Sequence, residues 1–371
     1  MTYPDPNYFD YSASAPPYQI ALDRLKEVSL QYFANPSSLH NPGKEAKRSL
    51  LQLKEQFCDL LNFKEGRLLI CSSGTEANNT IIEGHLKKNP DGRILIAENV
   101  HDSIWYTTKK YNNCVDILKI DNNGQVGLSR LKETLKPASS LVCINHLCNE
   151  TGAIQDLNLI PDFCSNRNIK LLVDGVQAIG HIPVDMNSIH CDYYSFSAHK
   201  FGGARSFGGI LICDDAFEPL LSGGKQEWGL RAGTENIAGL AATVVALRES
   251  LLKMNDETEL LNELKAVLIN YLNKQIPNMM INTPENCRPG FISLSFPGFQ
   301  GNEIVKALSI EGFSISTGSA CHQNLVEPSR VILALGRSVE EAKGTIRISM
   351  GRGNTYKAVN DLCRIISDFI Q

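Results

Sequence analysis

Short apolar runs alternate with amphipathic stretches along the first two thirds of the chain. Between about residues 45 and 61, the apolar residues Ala46, Leu50, Leu53 and Phe57 recur at spacings of three and four, which predicts an amphipathic helix. Two further helices are predicted over Glu76–Lys88 and Leu128–Lys136. The apolar runs predict strands over Leu68–Cys71, Ile94–Ala97, Val115–Ile120, Leu141–Asn145, Leu171–Asp174, Tyr193–Ser197 and Gly209–Cys213.

This alternation favours the α/β class, with a mostly parallel, doubly wound sheet. Ligands of such sheets bind beyond the carboxyl ends of the strands. The pattern changes after Thr234, where a helix is predicted from Asn236 to about Lys274. We therefore expect a large domain over residues 15–255 and a smaller α+β domain formed by residues 1–14 and 256–371. The smaller domain is predicted to contain strands Gly290–Phe296 and Thr345–Met350 and helices Glu303–Ser309 and Thr355–Ile370.

Composition excludes several classes of function. The 371 residues are 43% hydrophobic and 20% charged, with a net charge of −4, which gives no electrostatic reason to expect a nucleic acid partner. No apolar run approaches the ~20 residues that cross a bilayer, and the first residues do not resemble a signal peptide. The 11 cysteines lack paired spacing and predict reduced thiols in a cytoplasmic protein. No set of metal ligands is expected.

An aspartate and a lysine stand at the ends of neighbouring predicted strands. Asp174 closes the apolar run that begins at Ile169, and Lys200 follows the strand over Tyr193–Ser197. Pyridoxal phosphate chemistry needs a lysine amine that binds the cofactor covalently and a carboxylate that keeps its ring nitrogen protonated. Alone, such a lysine is usually solvated and such an aspartate is a common strand-end cap. Their pairing makes pyridoxal phosphate the favoured cofactor.

A third feature is the turn Ser72-Ser73-Gly74-Thr75-Glu76, which follows a strand and opens a helix. Backbone N–H groups at a helix N-terminus bind anions such as phosphate. Gly74 allows a close approach of the backbone, and Thr75 offers a hydroxyl. The alternative is a capping box of Ser73 and Glu76, which can coexist with phosphate binding.

The motifs as a set resemble the cysteine desulfurases, in the class V aminotransferase group of fold-type I pyridoxal phosphate enzymes. The order and spacing match from Tyr8-Phe9-Asp10-Tyr11-Ser12 to Arg347, nearly the whole chain. The segments that carry the resemblance are Ser73-Gly74-Thr75-Glu76, Asn149-Glu150-Thr151-Gly152, Asp174-x-x-Gln177, Ser197-Ala198-His199-Lys200 and Arg231-Ala232-Gly233-Thr234-Glu235-Asn236.

The resemblance implies a role for each matching position. Lys200 would hold the cofactor covalently and remove the Cα proton of the substrate, Asp174 would pair with the ring nitrogen, and Gln177 would bond the phenolic oxygen. His101 would stack on the ring, although without the family a surface histidine at a strand end would be favoured. Asn149 would lie near the ring and the substrate carboxylate. The phosphate group would be held by Gly74, Thr75, Ser197 and His199, with Thr234 reaching it from the other subunit of a homodimer.

Two residues bear on the substrate and the reaction. Arg347 alternates with isoleucines in Thr345-Ile346-Arg347-Ile348, and its guanidinium suits bidentate binding of an α-carboxylate, although an exposed strand arginine fits the pattern equally well. Cys321 lies in a small-residue segment, unlike the cysteines in apolar runs. It resembles the family cysteine that takes sulfur from L-cysteine as a persulfide, leaving L-alanine, and passes it to an acceptor protein.

Several positions depart from the family pattern, namely Cys148, Ala198, Ala204 and Lys225, and long family members continue further past the C-terminal helix. These departures leave the acceptor and the pathway open: iron–sulfur clusters, tRNA thiolation and DNA sulfur modification all draw on such enzymes. A selenocysteine lyase, aminotransferase or epimerase of the same class is an alternative, and so is a non-catalytic homologue acting as a binding partner.

Overall fold

A seven-stranded sheet forms the centre of the molecule. The structure is a computed structural model that describes residues 3–318 and 327–371. The strand order across the sheet is β1-β7-β6-β5-β4-β2-β3. The strands are β1 (Arg67–Cys71), β2 (Arg93–Ala97), β3 (Val115–Leu118), β4 (Ser139–Asn145), β5 (Lys170–Asp174), β6 (Tyr193–Ser197) and β7 (Gly208–Ile212).

Strand direction agrees with the predicted fold class. β2, β3, β4, β5 and β6 pair in parallel, whereas β7 is antiparallel to both of its neighbours, β1 and β6. β1 therefore runs in the same direction as the parallel strands. The prediction of a mostly parallel α/β sheet is confirmed, and the carboxyl ends of β1, β2, β4, β5 and β6 meet at one edge.

A second, antiparallel sheet has the order β10-β9-β8 and consists of β8 (Met280–Ile281), β9 (Phe291–Ser295) and β10 (Thr345–Ser349). The α-helices of the described residues are α1 (Gln19–Gln31), α2 (Asn41–Leu60), α3 (Gly74–Lys88), α4 (Asp102–Thr108), α5 (Leu128–Thr134), α6 (Ile160–Ser165), α7 (Ile237–Gln275), α8 (Gly301–Ile310), α9 (Arg330–Ala334), α10 (Val339–Lys343) and α11 (Tyr356–Ile370).

The element boundaries differ from the predicted ones for local reasons. α3 begins at Gly74, because the side chain of Ser73 caps it, and not at Glu76. α5 ends at Thr134, before Lys136, whose position ahead of Pro137 disfavours helical backbone. The helix α1 was not predicted from the sequence. Its buried residues are only Ala21 and Val28, so no apolar period marks it.

Two hydrophobic clusters lie on the two sheets, and α7 contributes to both. Leu240 and Leu247 belong to the cluster around the large sheet, whereas Leu264 and Leu268 belong to the cluster around the small one. The N-terminal segment joins the second cluster through Phe9. The predicted boundary at residue 255 falls within α7, and the division into two domains stays a prediction.

No helix in residues 3–318 and 327–371 is both long enough and apolar enough to cross a membrane.

The central strands of the large sheet lie in the core: β6 and β7 are buried along their whole length. A strand buried on both faces is typical of a parallel sheet covered by helices.

Candidate active site

A cavity of about 260 Å³ opens at the edge of the large sheet where the carboxyl ends of the strands meet. Of the predicted site residues that the structure describes, Thr234 does not line it and is exposed on the surface. Cys321 lies outside the described residues. The predicted site residues that the cavity brings together are Gly74, Thr75, His101, Asn149, Asp174, Gln177, Ser197, His199, Lys200 and Arg347.

The turn before α3 combines a helix cap with one wall of the cavity. Ser73 Oγ accepts a hydrogen bond from Glu76 N at 3.1 Å, and the Glu76 carboxylate accepts one from Ser72 N at 2.7 Å. Because Ser73 caps the N–H group of Glu76, the N–H groups of Gly74 and Thr75 at the start of α3 have no intrahelical partner. Both residues line the cavity. A Cβ on Gly74 would lie 2.5 Å from Val176 Cγ2, so glycine is what lets the turn approach the next loop.

Arg231 neutralises the acidic residue of this turn. Its Nε lies 2.8 Å from Glu76 Oε1. Burial raises the pKa of Glu76, but hydrogen bonds from Arg231 and Ser72 outweigh it and hold that pKa below its usual value. Glu76 therefore stays ionised and paired. The contact also attaches the segment that precedes Thr234 to the turn before α3 of the same chain.

Asp174 ends β5 and is 5% exposed. Its Oδ2 accepts a hydrogen bond from Asn78 Nδ2 at 2.9 Å, and its Oδ1 accepts one from Val176 N at 3.0 Å. These two donors satisfy part of the carboxylate and fix its orientation. Each oxygen still has a lone pair available for a cation placed in the cavity.

Lys200 lies in the turn Ala198–Lys200 directly after β6. Its Nζ donates to the carbonyl oxygens of Ser12 at 2.7 Å and Ala13 at 3.0 Å. Burial is the main reason that the pKa of Lys200 falls to about 8. The positive charge of Arg347 lowers it further, and the negative charge of Asp10 opposes the shift. The amine is thus unprotonated at a far lower pH than an exposed lysine.

Two histidines of the cavity are held in the neutral form. His101 Nδ1 accepts a hydrogen bond from Ser103 N at 3.1 Å, as the N-cap of α4. Burial lowers the pKa of His101, although the charge of Asp174 raises it in part. Burial likewise lowers the pKa of His199 to about 4, with Lys200 adding to the effect. Neutral imidazoles can stack on a ring or donate one hydrogen bond.

Gln177 and Arg347 face the N-terminal segment. Gln177 Nε2 donates to Ser12 O at 2.9 Å. Arg347 is 2% exposed and lies in β10. Its neighbours Ile346 and Ile348 belong to the second hydrophobic cluster. Its Nη2 lies 2.7 Å from Asp10 Oδ1. The strand therefore places a guanidinium at the cavity while its neighbours anchor the small sheet.

The cavity wall contains buried polar atoms that lack a partner among the described residues. They are Asn78 Oδ1, Gln177 Oε1 and Arg347 Nε. Such atoms are costly unless something satisfies them. An aromatic cofactor with a phosphate, a phenolic oxygen and a basic ring nitrogen suits this wall: it meets a helix N-terminus, amide groups and a carboxylate. The residues present fit pyridoxal phosphate.

Comparison with known proteins identifies the family. The model of the class-V aminotransferases matches residues 7–362. The chain belongs to this family. It is therefore a member of a pyridoxal phosphate enzyme class, and the fold and resemblance expected from the sequence are confirmed.

Relatives of this class-V aminotransferase family member include the "Cysteine desulfurase IscS" of Dictyoglomus turgidum, which is 32% identical over 98% of this chain and 94% of the relative. Among solved structures, a "NifS-like protein" superposes with a TM-score of 0.89 at 28% identity and covers 98% of both chains. A structure titled "SspA in complex with cysteine" has a TM-score of 0.79 at 26% identity and covers 94% of this chain and 100% of that one. The chain is thus close to the cysteine desulfurases.

Sequence reasoning missed residues that complete the site. Asn78 is 1% exposed and bonds Asp174, and its place one turn after Thr75 in α3 was a usable signal. Ser12 accepts from Lys200 through its carbonyl, which no side-chain pattern can reveal. Asp10 was part of the matched Tyr8–Ser12 segment, but no role followed from its position in the sequence.

Proposed function

We propose that this protein is a cysteine desulfurase that converts L-cysteine to L-alanine and forms a persulfide on Cys321. The observation that supports the proposal most directly is the meeting of Lys200, Asp174 and Arg347 at one cavity of about 260 Å³. An amine, a carboxylate and a guanidinium are the groups that an amino acid reaction on pyridoxal phosphate requires. The similarity to cysteine desulfurases over nearly the whole chain supports the choice of cysteine.

Each residue has a task in this proposal. Lys200 would hold the cofactor covalently, and its free Nζ would take the proton from the substrate Cα. Asp174 would keep the cofactor ring nitrogen protonated. When bound, the cofactor supplies an electron sink for the negative charge that develops at Cα. Neutral His101 stacks on the ring, and Gln177 donates to the phenolic oxygen with its remaining amide proton.

Substrate binding is assigned to Arg347 and Asn149. Arg347 pairs with the α-carboxylate, which orients the Cα–H bond toward Lys200. Ser12 Oγ lies 3.2 Å from the Asn149 carbonyl, and this contact joins the Asn149 loop to the N-terminal segment. Gly74, Thr75, Ser197 and His199 hold the phosphate, at the N-terminus of α3.

Sulfur transfer is assigned to Cys321. The Cβ–S bond of L-cysteine breaks and an S–S bond to Cys321 forms, so cysteine and one thiol give alanine and one persulfide with no external oxidant. Gly318, three residues before Cys321 in the sequence, lines the cavity. A sulfur-acceptor protein then receives the outer sulfur. Thr234, exposed in the single chain, would reach the phosphate of a second copy, so the active unit is a homodimer.

The test compares two cysteine variants of the holoenzyme. Cys321→Ser should keep the visible absorbance of the bound cofactor but lose alanine release and persulfide formation from L-cysteine. The matched control is Cys213→Ser, because Cys213 is an exposed thiol that lies away from the cavity. Undiminished alanine release by Cys321→Ser contradicts the assignment. Parallel assays with L-selenocysteine distinguish a desulfurase from a selenocysteine lyase.

A further inference from the structure

Asp10 makes a close contact with the guanidinium that the proposed function assigns to the substrate. Asp10 Oδ1 lies 2.7 Å from Arg347 Nη2. The Arg347 side chain is only 3% exposed, whereas that of Asp10 is 18% exposed. A buried arginine needs such a counter-charge, but the position of this one also determines which N–H groups remain free.

Counting donors shows how many N–H groups of Arg347 the protein already engages. A guanidinium has five N–H donors in a fixed plane. Nη1 donates to the carbonyl oxygens of Asn149 at 2.9 Å and Gly318 at 3.0 Å, and Nη2 donates to Asp10. Nε is buried without a partner. The donors without a protein partner are thus the second Nη2–H and Nε–H, of which Nε–H is enclosed.

The orientation of the guanidinium plane decides whether it can bind a carboxylate, because the N–H groups donate within that plane. In Arg347 three oxygens, from Asn149, Gly318 and Asp10, hold the plane. The backbone holds Asp10 in place, because residue 10 forms a bridge with Ser349 of β10 and Tyr11 N donates to Ser349 O at 3.1 Å. The same strand that presents Arg347 therefore also fixes its partner.

The N-terminal segment links this arrangement to the catalytic amine. Ser12 and Ala13, two and three residues after Asp10, provide the carbonyl oxygens that bind Lys200 Nζ. The Asp10 charge is close enough to act on Lys200, whose pKa it raises. One short segment thus contacts the carboxylate-binding residue at one end and the proton-accepting residue at the other.

We infer that Asp10 is a positioning residue for substrate recognition, which fixes the plane of the Arg347 guanidinium so that it can donate to the α-carboxylate of the amino acid substrate. The inference rests on the proposed function for the choice of substrate. It predicts that loss of Asp10 weakens binding of ligands that have a carboxylate and leaves binding of the matching amines unchanged.

The experiment uses Asp10→Asn in the holoenzyme with a pair of probes. L-alanine and ethylamine differ only by the carboxylate, and their dissociation constants are measured from the visible absorbance of the cofactor. Asp10→Asn should weaken alanine binding about tenfold, because one charge-assisted contact is lost, and leave ethylamine binding within about twofold. The KM for L-cysteine should rise by the same factor, with kcat changed much less.

The matched control is Asp116→Asn. Asp116 also pairs with an arginine at 2.7 Å, and its side chain is 11% exposed, but it lies outside the cavity. This variant should leave both probes unaffected. Equal weakening of alanine and ethylamine by Asp10→Asn, or no weakening of either, overturns the inference.

A second variant tests the inference if the first does not fold, and the choice of probes separates it from the proposed function. If Asp10→Asn does not fold, Asp10→Glu retains the charge and moves the carboxylate by one methylene, so it should still weaken alanine more than ethylamine; equal effects overturn the inference. The two probes need no desulfuration. A protein that releases no sulfur from cysteine refutes the proposed function, and the alanine–ethylamine comparison still decides the role of Asp10.

Discussion

Asn78 donates a hydrogen bond to Asp174 across the interface between α3 and β5, with Nδ2 2.9 Å from Oδ2. Both residues are almost completely buried. The helix whose first turn is assigned to the phosphate therefore also orients the carboxylate assigned to the ring nitrogen. The same helix, α3, would therefore position both the phosphate and the ring nitrogen of the proposed cofactor.

Replacement of Asp174 by Asn should abolish catalysis while the fold remains. The amide has the same shape but no negative charge, so it cannot hold a protonated ring nitrogen. We expect kcat for L-cysteine to fall by at least about 10²-fold, a loss of the kind seen when one preorganised electrostatic group is removed. Circular dichroism checks the fold, and alanine release measures kcat. A kcat within about threefold of the wild type contradicts the assignment of Asp174.

Attachment of the cofactor to the cofactor-free protein should follow the ionisation of Lys200. The unprotonated amine is the nucleophile, and burial lowers the pKa of Lys200 from 10.5 to about 8. The rate constant for recombination with pyridoxal phosphate should therefore rise with pH, with a midpoint near 8. Stopped-flow absorbance from about pH 6.5 to about pH 11 gives the profile, because this range includes both the lowered and the ordinary pKa of a lysine. A midpoint near 10.5 would mean that Lys200 behaves as a solvated lysine.

Substitution of Gly74 by Ala should weaken cofactor binding. The new Cβ would lie 2.5 Å from Val176 Cγ2, so the turn must move away from the loop that follows Asp174. Because N–H groups at this helix N-terminus are assigned to the phosphate, we expect the dissociation constant of pyridoxal phosphate to rise about tenfold. The constant is obtained by titration of the cofactor-free protein.

Gly127→Ala is the control for Gly74→Ala. Gly127 lies at a helix N-terminus as Gly74 does, directly before α5, but a Cβ there would have Ser129 Oγ as its nearest neighbour at 3.8 Å, an ordinary contact. Cofactor affinity should be unchanged in this variant. If both variants bind the cofactor as the wild type does, the turn before α3 does not hold the phosphate.

Mixing two inactive variants should restore activity if Thr234 acts across a homodimer. One variant, Thr234→Val, lacks the hydroxyl, and the other, Lys200→Ala, lacks the amine. The two are purified separately and then mixed. A mixed dimer then contains one site with both groups intact, provided that Thr234 reaches the phosphate of the other subunit. Activity should return after subunit exchange, at limiting cofactor, to at most about half of the wild-type level, because one site of two is complete. Without restoration, Thr234 acts within its own subunit or not at all.

The sequence predicted the large sheet well because its strands are buried and continuous. β6 was predicted with its observed bounds, Tyr193–Ser197, and β4 and β5 within two residues. The antiparallel direction of β7 was not predicted, since a fully buried apolar run has the same sequence pattern in a parallel and in an antiparallel strand. α1 escaped detection because exposed apolar side chains such as Ile20 and Leu30 disrupt its period.

The site was predicted in part for a different reason. Asp174 ends a strand and Lys200 closely follows one, so both are recognisable by their position, whereas Arg347 comes from another sheet and was identified through the resemblance. The contacts of Ser12, Asp10 and Asn78 depend on how the N-terminal segment and α3 pack against the strand ends. No local pattern encodes such contacts between residues that are far apart in the sequence.

The most direct measurement is reduction of the holoenzyme with borohydride, followed by peptide mapping. The account predicts one pyridoxyl-modified peptide, with the modification at Lys200, and its absence from Lys200→Ala. An unmodified Lys200 peptide from protein saturated with pyridoxal phosphate would contradict the account, since every proposed role in the cavity depends on a cofactor bound at that amine.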